Sequence, residues 1–262
     1  MLVLLSPAKS LAMQARTDDP PATEARALAA SARLIEVLRT LSAAQLAERM
    51  TLSAALATLN QERYAAWRLV PDEGAVRVAA LAFAGDVYEG LRAQDWDAAL
   101  WARAQTHLRL LSGLYGVLRP QDAVQAYRLE MGTRLSVAGA RDLYAFWRDT
   151  ISTLLHDDLA LSGGPLVNLA SQEYFKAVDV AALAVPVIAP RFLDARGEGP
   201  YRIVSFYAKR ARGRMADWIL RQAPRQGEDL YDFAVDGYRY DTSLSRPQSP
   251  CFVRRLAADM ED

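Results

Sequence analysis

The chain has 262 residues, 52% hydrophobic and 24% charged, and its 31 basic side chains balance 31 acidic ones. Those values exclude a disordered chain, a collagen-like rod and a bulk polyanion binder. One cysteine, Cys251, excludes an internal disulfide and a cysteine-based metal cluster, and no apolar run reaches membrane-span length, so the expectation is a cytoplasmic protein without a membrane partner.

In chain order, residues 1–6 read as a short buried strand and 14–23 as a polar loop. Thr23 is placed to cap a helix over 24–40 whose apolar stripe is Leu28, Leu34, Ile35, Leu38 and Leu41. Two further helices follow Ser42 and Ser53. Segment 75–83 fits a strand or a buried helix, since periodicity does not separate the two at that length. Asp95 is placed to cap a helix running to 111, and Gly113, Gly116, Pro120 and Gly132 mark a turn-rich centre. An amphipathic helix over 141–160 and a strand over 166–170 come next. Strands at 185–193 and 201–207 flank a hairpin turn at 194–200, ahead of a basic helix over 208–222 and short strands at 230–235, 237–241 and 251–256. Helices fill the first half and strands the second. The expected fold is a mixed α/β (α+β) single domain over 1–262, long enough to bury a large core.

Charge is uneven. Segment 202–225 holds seven basic residues and one acidic. Only three of the 31 basic residues are lysine: Lys9, Lys176 and Lys209. A chain that uses arginine wherever a positive charge suffices makes its surviving lysines suspects for work arginine cannot do, such as acting after a pKa shift.

Five segments carry chemistry-bearing patterns. Ser6-Pro7-Ala8-Lys9 follows the first strand with the spacing of a serine–lysine nucleophile pair or an anion-binding loop. Lys9 itself is expected in a turn with little room for a guanidinium. His107–Asp122 has the outline of a helix, a glycine hairpin and a second helix, a form that brings glycine N–H groups to a DNA phosphate; the alternative is a helix end and a tight turn. Tyr127–Arg134 sets Arg128 and Arg134 around Glu130. Asn168–Lys176 delivers Ser171, Glu173 and Lys176 beyond a strand end, where α/β ligand sites gather. Ser205–Arg214 places Lys209, Arg210, Arg212 and Arg214 on one helix, either a phosphate rail or a solvated face. The two histidines, His107 and His156, lie in no metal-ligand spacing, and no Walker or dinucleotide fingerprint is present. No metal site or cofactor is expected.

Taken together, MLVLLSPAKSL at 1–11, LAFAGDVYEGL at 81–91, HLRLLSGLYGVLRPQD at 107–122, YRLEMGTRL at 127–135, DLYAFW at 142–147, NLASQEYFKAV at 168–178 and IVSFYAKRARGRMADWI at 203–219 resemble the YaaA peroxide-stress protein family. The resemblance spans nearly the whole chain and takes in all three lysines. It implies a cytosolic protein that protects DNA and protein from hydrogen peroxide and Fenton damage, is associated with lowering free iron, and binds double-stranded DNA through a helix-hairpin-helix element beside a positively charged cleft. Carried over, the hairpin would be Ser112, Gly113 and Gly116 with Arg109 and Arg119 nearby. The cleft would take Lys9, Arg128, Arg134, Lys209, Arg210, Arg212 and Arg214. Iron, if bound, would need oxygen ligands such as Asp86, Glu89 or Glu173. The alternative is an enzyme acting on a small nucleotide-like or phosphorylated ligand, with Lys9, Ser171, Glu173, Lys176 and Lys209 as candidate catalytic residues.

Overall fold

The computed structural model describes residues 1–257; Asp259, Glu261 and Asp262 of the acidic tail lie outside the described residues. Its centre is a five-stranded sheet. Strand β1 (Leu2–Leu5) lies in the middle, beside β2 (Leu108–Ser112) and β4 (Leu166–Asn168). Strands β3 (Gly116–Leu118) and β5 (Val187–Ile188) form the edges, giving the order β3-β2-β1-β4-β5. All pairings are parallel except β2 with β3, and Val3 stands opposite both Leu108 and Val167. All four β1 side chains are fully buried. An unbroken apolar run is the pattern of a parallel strand covered on both faces, which explains why β1 is legible from its sequence.

A second sheet pairs β6 (Arg191–Arg196) in parallel with β8 (Cys251–Leu256) over six residues, with the short β7 (Arg239–Tyr240) antiparallel at its edge. The helices are α1 (Leu28–Arg39), α2 (Ala43–Met50), α3 (Ala54–Ala66), α4 (Asp86–Leu91), α5 (Ala98–His107), α6 (Leu143–Ser162), α7 (Gln172–Phe175) and α8 (Ser205–Gln222). Leu34 and Ile35 of α1, Trp147 of α6 and Phe252 of β8 all join one hydrophobic core. Among the described residues no helix is long and apolar enough to cross a membrane.

Local chemistry explains most helix starts. Ser42 accepts from Gln45 N, Gln45 answers from its side chain, and Ser53 accepts from Leu56 N. Asp97 caps α5 and Asp142 caps α6 in the same way. Thr23 does not cap α1. Its hydroxyl donates to Asp122 Oδ1 at 2.7 Å, and α1 begins at Leu28 without a side-chain cap. Segment 75–83 is both things in turn: Val76–Val78 is a strand, Ala79–Ala82 a helical turn, and Phe83–Ala84 a strand again. The expected strand at 201–207 is absent, because α8 begins at Ser205, and residues 227–232 form a 3-10 turn where a strand at 230–235 was expected.

The largest correction lies at the centre. The helix expected to run from Asp95 to 111 is capped by Asp97 and ends at His107, and Leu108–Ser112 and Gly116–Leu118 form a β-hairpin. No helix-hairpin-helix exists over 107–122. Every residue from Leu108 to Leu118 is buried. The glycines serve packing: a Cβ on Gly113 would stand 2.2 Å from the Leu129 carbonyl oxygen, and Gly116, at φ +70°, would drive one to 2.8 Å from the Trp147 ring.

Candidate functional site

Three chain segments meet where β1 and β4 end, on the carboxyl side of the parallel sheet. In open α/β sheets this edge is where ligands sit. The chain leaves β1 as Ser6-Pro7-Ala8-Lys9 and leaves β4 as Leu169-Ala170-Ser171, and the loop Tyr127–Glu130 closes one side. Together with α4 and α8 they enclose a cleft of about 410 Å³. Hydrogen bonds fix its floor. Ser6 Oγ accepts from Ser171 N at 2.8 Å and donates to Ser171 Oγ at 3.2 Å, while the Tyr88 hydroxyl donates to Ser6 O at 2.9 Å. Asn168 Oδ1 accepts from Ala170 N at 3.0 Å and so shapes the turn behind Ser171.

Helix α8 reaches this cleft by an unusually close crossing with α4. A Cβ on Gly213 would stand 1.8 Å from Val87 O, and one on Gly90 would stand 2.2 Å from Arg210 O. Two glycines therefore let the helix backbones touch, which no larger residue permits. Lys209 and Arg212, three apart on the same α8 face, then line the cleft opposite Asp86 and Tyr88 of α4.

The cleft carries four cations and three carboxylates. Lys9 Nζ lies 2.9 Å from Glu130 Oε2, and Arg128 donates to the other Glu130 oxygen at 3.0 Å, so one carboxylate serves two cations. Lys209 Nζ is 3.8 Å from Asp86. Glu173 Oε1 accepts from Gly132 N at 3.0 Å. Arg212 differs from the other three cations: it lines the cleft, is half-buried, and has no ion pair or hydrogen bond with any described residue. Burial lowers its pKa, with no carboxylate opposing that shift, although a guanidinium stays charged at working pH. Between these charges the walls are phenolic. Burial raises the pKa of Tyr88, Tyr127 and Tyr174 far above the usual tyrosine range, so all three stay neutral.

Several sequence-predicted residues do not come to this place. Arg109 is buried inside the fold and makes a two-pronged ion pair with Asp158 at 2.6 and 2.7 Å. Ser112 lies in the core against the Tyr127 hydroxyl, and Gly113 and Gly116 are covered on all sides. Arg119 is tied to Asp122 at 2.8 Å. Arg109, Ser112, Gly113 and Gly116 are buried, and neither they nor Arg119 line the cleft. Arg214 is held by both oxygens of Asp236 at 3.1 Å, whereas Arg210 and Arg134 are exposed but do not line the cleft. The basic helix is thus split: Lys209 and Arg212 turn to the cleft, and Arg214 to an acidic partner.

Of the candidate catalytic residues, Lys9, Ser171, Glu173 and Lys209 line the cleft, and Lys176 does not; its ammonium stacks 4.7 Å over the Tyr144 ring. Ser6 and Lys9 do not form a nucleophile pair, since Ser6 is bonded to Ser171 and Lys9 to Glu130. Among the described residues no three His, Cys, Asp or Glu side chains gather as a metal group, so Asp86, Glu89 and Glu173 do not assemble the oxygen site considered for iron. Cys251 is buried in β8, and burial pushes its thiol pKa up, which disfavours the reactive thiolate. Sequence reasoning passed over Tyr88, Tyr127 and Tyr174. The available signal was a tyrosine recurring in three of the polar-loop motifs, VYEG, YRLEM and SQEYF.

The cleft lining comes from five of the seven motif segments. The family model described as "Peroxide stress protein YaaA" matches residues 1–244, and the chain belongs to that family. It is 48% identical over 257 residues to a UPF0246 protein of Janthinobacterium sp. (strain Marseille), covering 98% of this chain and 99% of the relative. It is 46% identical to a UPF0246 protein of Hahella chejuensis, covering 97% and 99%, and 49% identical to one of Tolumonas auensis, covering 97% and 98%.

Proposed function

We propose that this peroxide-stress protein acts by binding double-stranded DNA across the mouth of the cleft, shielding it from peroxide-driven damage in the cytoplasm. The observation that carries the reading is the convergence of Lys9, Arg128, Lys209 and Arg212 on one strand-end cleft, with exposed Arg210 beside them on α8. The contacting set is therefore smaller than the sequence suggested. Lys9, Lys209 and Arg210 form the outer rim, Arg128 and Arg212 lie deeper, and Arg134 adds charge two residues beyond Gly132. The association with lowering free iron fits an indirect route in this reading, since no three acidic groups gather among the described residues.

Binding of a short duplex measured by fluorescence anisotropy at two salt concentrations tests the proposal. Four released counterions correspond to a slope of log K against log salt of about −3.6. Replacing Lys9, Lys209 and Arg210 together with Ala should flatten that slope and weaken all sequences alike. No binding at low salt overturns the reading. A second reading has one specific observation behind it: at about 410 Å³ the cleft lies within the range of roughly 300–1,000 Å³ typical of small-molecule sites. An enzyme acting on a small phosphorylated ligand through Ser171 and Lys209 would use the same floor.

A further inference from the structure

Among the described residues, Arg212 is the cleft cation left without a counter-charge. Lys9 and Arg128 share Glu130, and Lys209 faces Asp86. Removing a guanidinium from water without an anion is costly, and folds normally relieve that cost with a carboxylate, as this one does at Arg109 and Arg214. On the same cleft the Ser171 hydroxyl accepts from Ser6 Oγ, and its own proton has no acceptor among the described residues. The surrounding carboxylates Asp86, Glu130 and Glu173 oppose a continuous run of phosphodiesters through the interior. The neutral faces of Tyr88, Tyr127 and Tyr174 supply apolar wall.

We propose that the cleft floor is a phosphate-monoester subsite, in which Arg212, aided by Lys209 and the Ser171 hydroxyl, holds the terminal phosphate of one nucleotide. A monoester offers two negative charges and three acceptor oxygens at a single point, which suits one half-buried guanidinium that shares its cleft with a lysine and a hydroxyl. A phosphodiester offers one charge and continues in both directions, where it meets the carboxylates. The same terminal group is presented by a free nucleoside monophosphate and by the 5′-phosphorylated end of a DNA strand. The subsite rests on the DNA reading only for the second source.

The test compares four probes by anisotropy or calorimetry on the full chain: a short DNA strand with a 5′-phosphate, the same strand with a 5′-hydroxyl, thymidine 5′-monophosphate and thymidine. The expected result is a preference of about tenfold or more for each phosphorylated probe over its partner, the scale of losing one hydrogen bond to a charged group. Arg212→Gln should abolish that preference, and Arg212→Lys should retain part of it. Circular dichroism and urea unfolding identify any variant that fails to fold, and Ser171→Ala provides a second, milder change expected to reduce the preference. Equal binding of phosphorylated and unphosphorylated probes by the unmodified protein overturns the subsite, even where DNA binds well. Tight thymidine 5′-monophosphate with no DNA binding supports the subsite and overturns the DNA reading instead. A preference that persists in folded Arg212→Gln also overturns the proposal.

Discussion

The β2–β3 hairpin and the α8 flank of the cleft look alike in sequence, each a short apolar run with arginines and glycines, and the fold uses them in opposite ways. In the hairpin, Arg109 is buried beside an equally buried Asp158, which also takes both nitrogens of Arg26 at 2.9 Å. In α8, Arg212 is half-buried and meets no acid among the described residues. Glycine differs likewise. Gly113 and Gly116 let a loop and a ring pack against a hairpin, while Gly213 lets a whole helix approach α4 and carry its cations to the cleft. A charged residue beside a glycine therefore says nothing of ligand binding until its carboxylate is found or found missing.

The sharpest way to break this contrast is at Asp158. Its side chain is 3% exposed, and replacement by Asn strands two guanidiniums. Asp158→Asn should cost about 3–5 kcal/mol in urea unfolding, while DNA affinity of the folded fraction stays unchanged. A large loss of affinity without destabilisation would return Arg109 to the binding site. The pH dependence has a definite sign. Burial raises the Asp158 pKa, but the hydrogen bonds and charges of Arg109 and Arg26 outweigh it, and the net value is depressed. The stability it contributes is present above the unfolded carboxylate pKa and is lost as pH falls through the lower folded value. The acid limb of the stability curve should therefore flatten in Asp158→Asn.

The next largest effect belongs to Gly213. A methyl there meets the Val87 carbonyl, so Gly213→Ala should destabilise by roughly 1–3 kcal/mol and weaken binding as α8 is pushed off α4. Unfolding and anisotropy on the same sample check both halves. Unchanged affinity would mean that the crossing does not set the cation positions. Arg214→Ala should then change affinity less than Arg212→Ala does, because Asp236 already neutralises Arg214.

These predictions rest on pairings that no single stretch of sequence contains, which is also the limit of what the sequence could tell. Strand β1, the caps at Ser42 and Ser53, the long α6 and β8 were legible because each carries its own local signal. The change from α5 to β2 at His107 was not, since neither glycine nor proline marks it and a fully buried segment shows no periodicity. Glu130 lies far along the chain from Lys9, and Asp158 lies 49 residues from Arg109. The sequence offered residues that line the cleft on α8, in the first loop and at Ser171 and Glu173. It could not separate them from Arg109, Arg119 and Arg214, because that separation is made by partners.

The smallest expected effect is the most informative about chemistry. The turn holding Lys9 was expected to leave little room for a guanidinium, yet its side chain is 64% exposed, with Glu130 as its partner. Lys9→Arg therefore keeps the charge, reaches the same carboxylate and changes stability by less than about 0.5 kcal/mol, as surface substitutions usually do. DNA affinity should stay within about twofold, since one exposed pair contributes little. Lys9→Glu should weaken binding further, because it sets a like charge against Glu130 and subtracts two from the rim. If Lys9→Arg abolished peroxide protection in cells while folding and DNA affinity persisted, charge would not be what Lys9 supplies. A deprotonated amine would then be needed in the cleft, and the enzyme reading would replace the DNA rim.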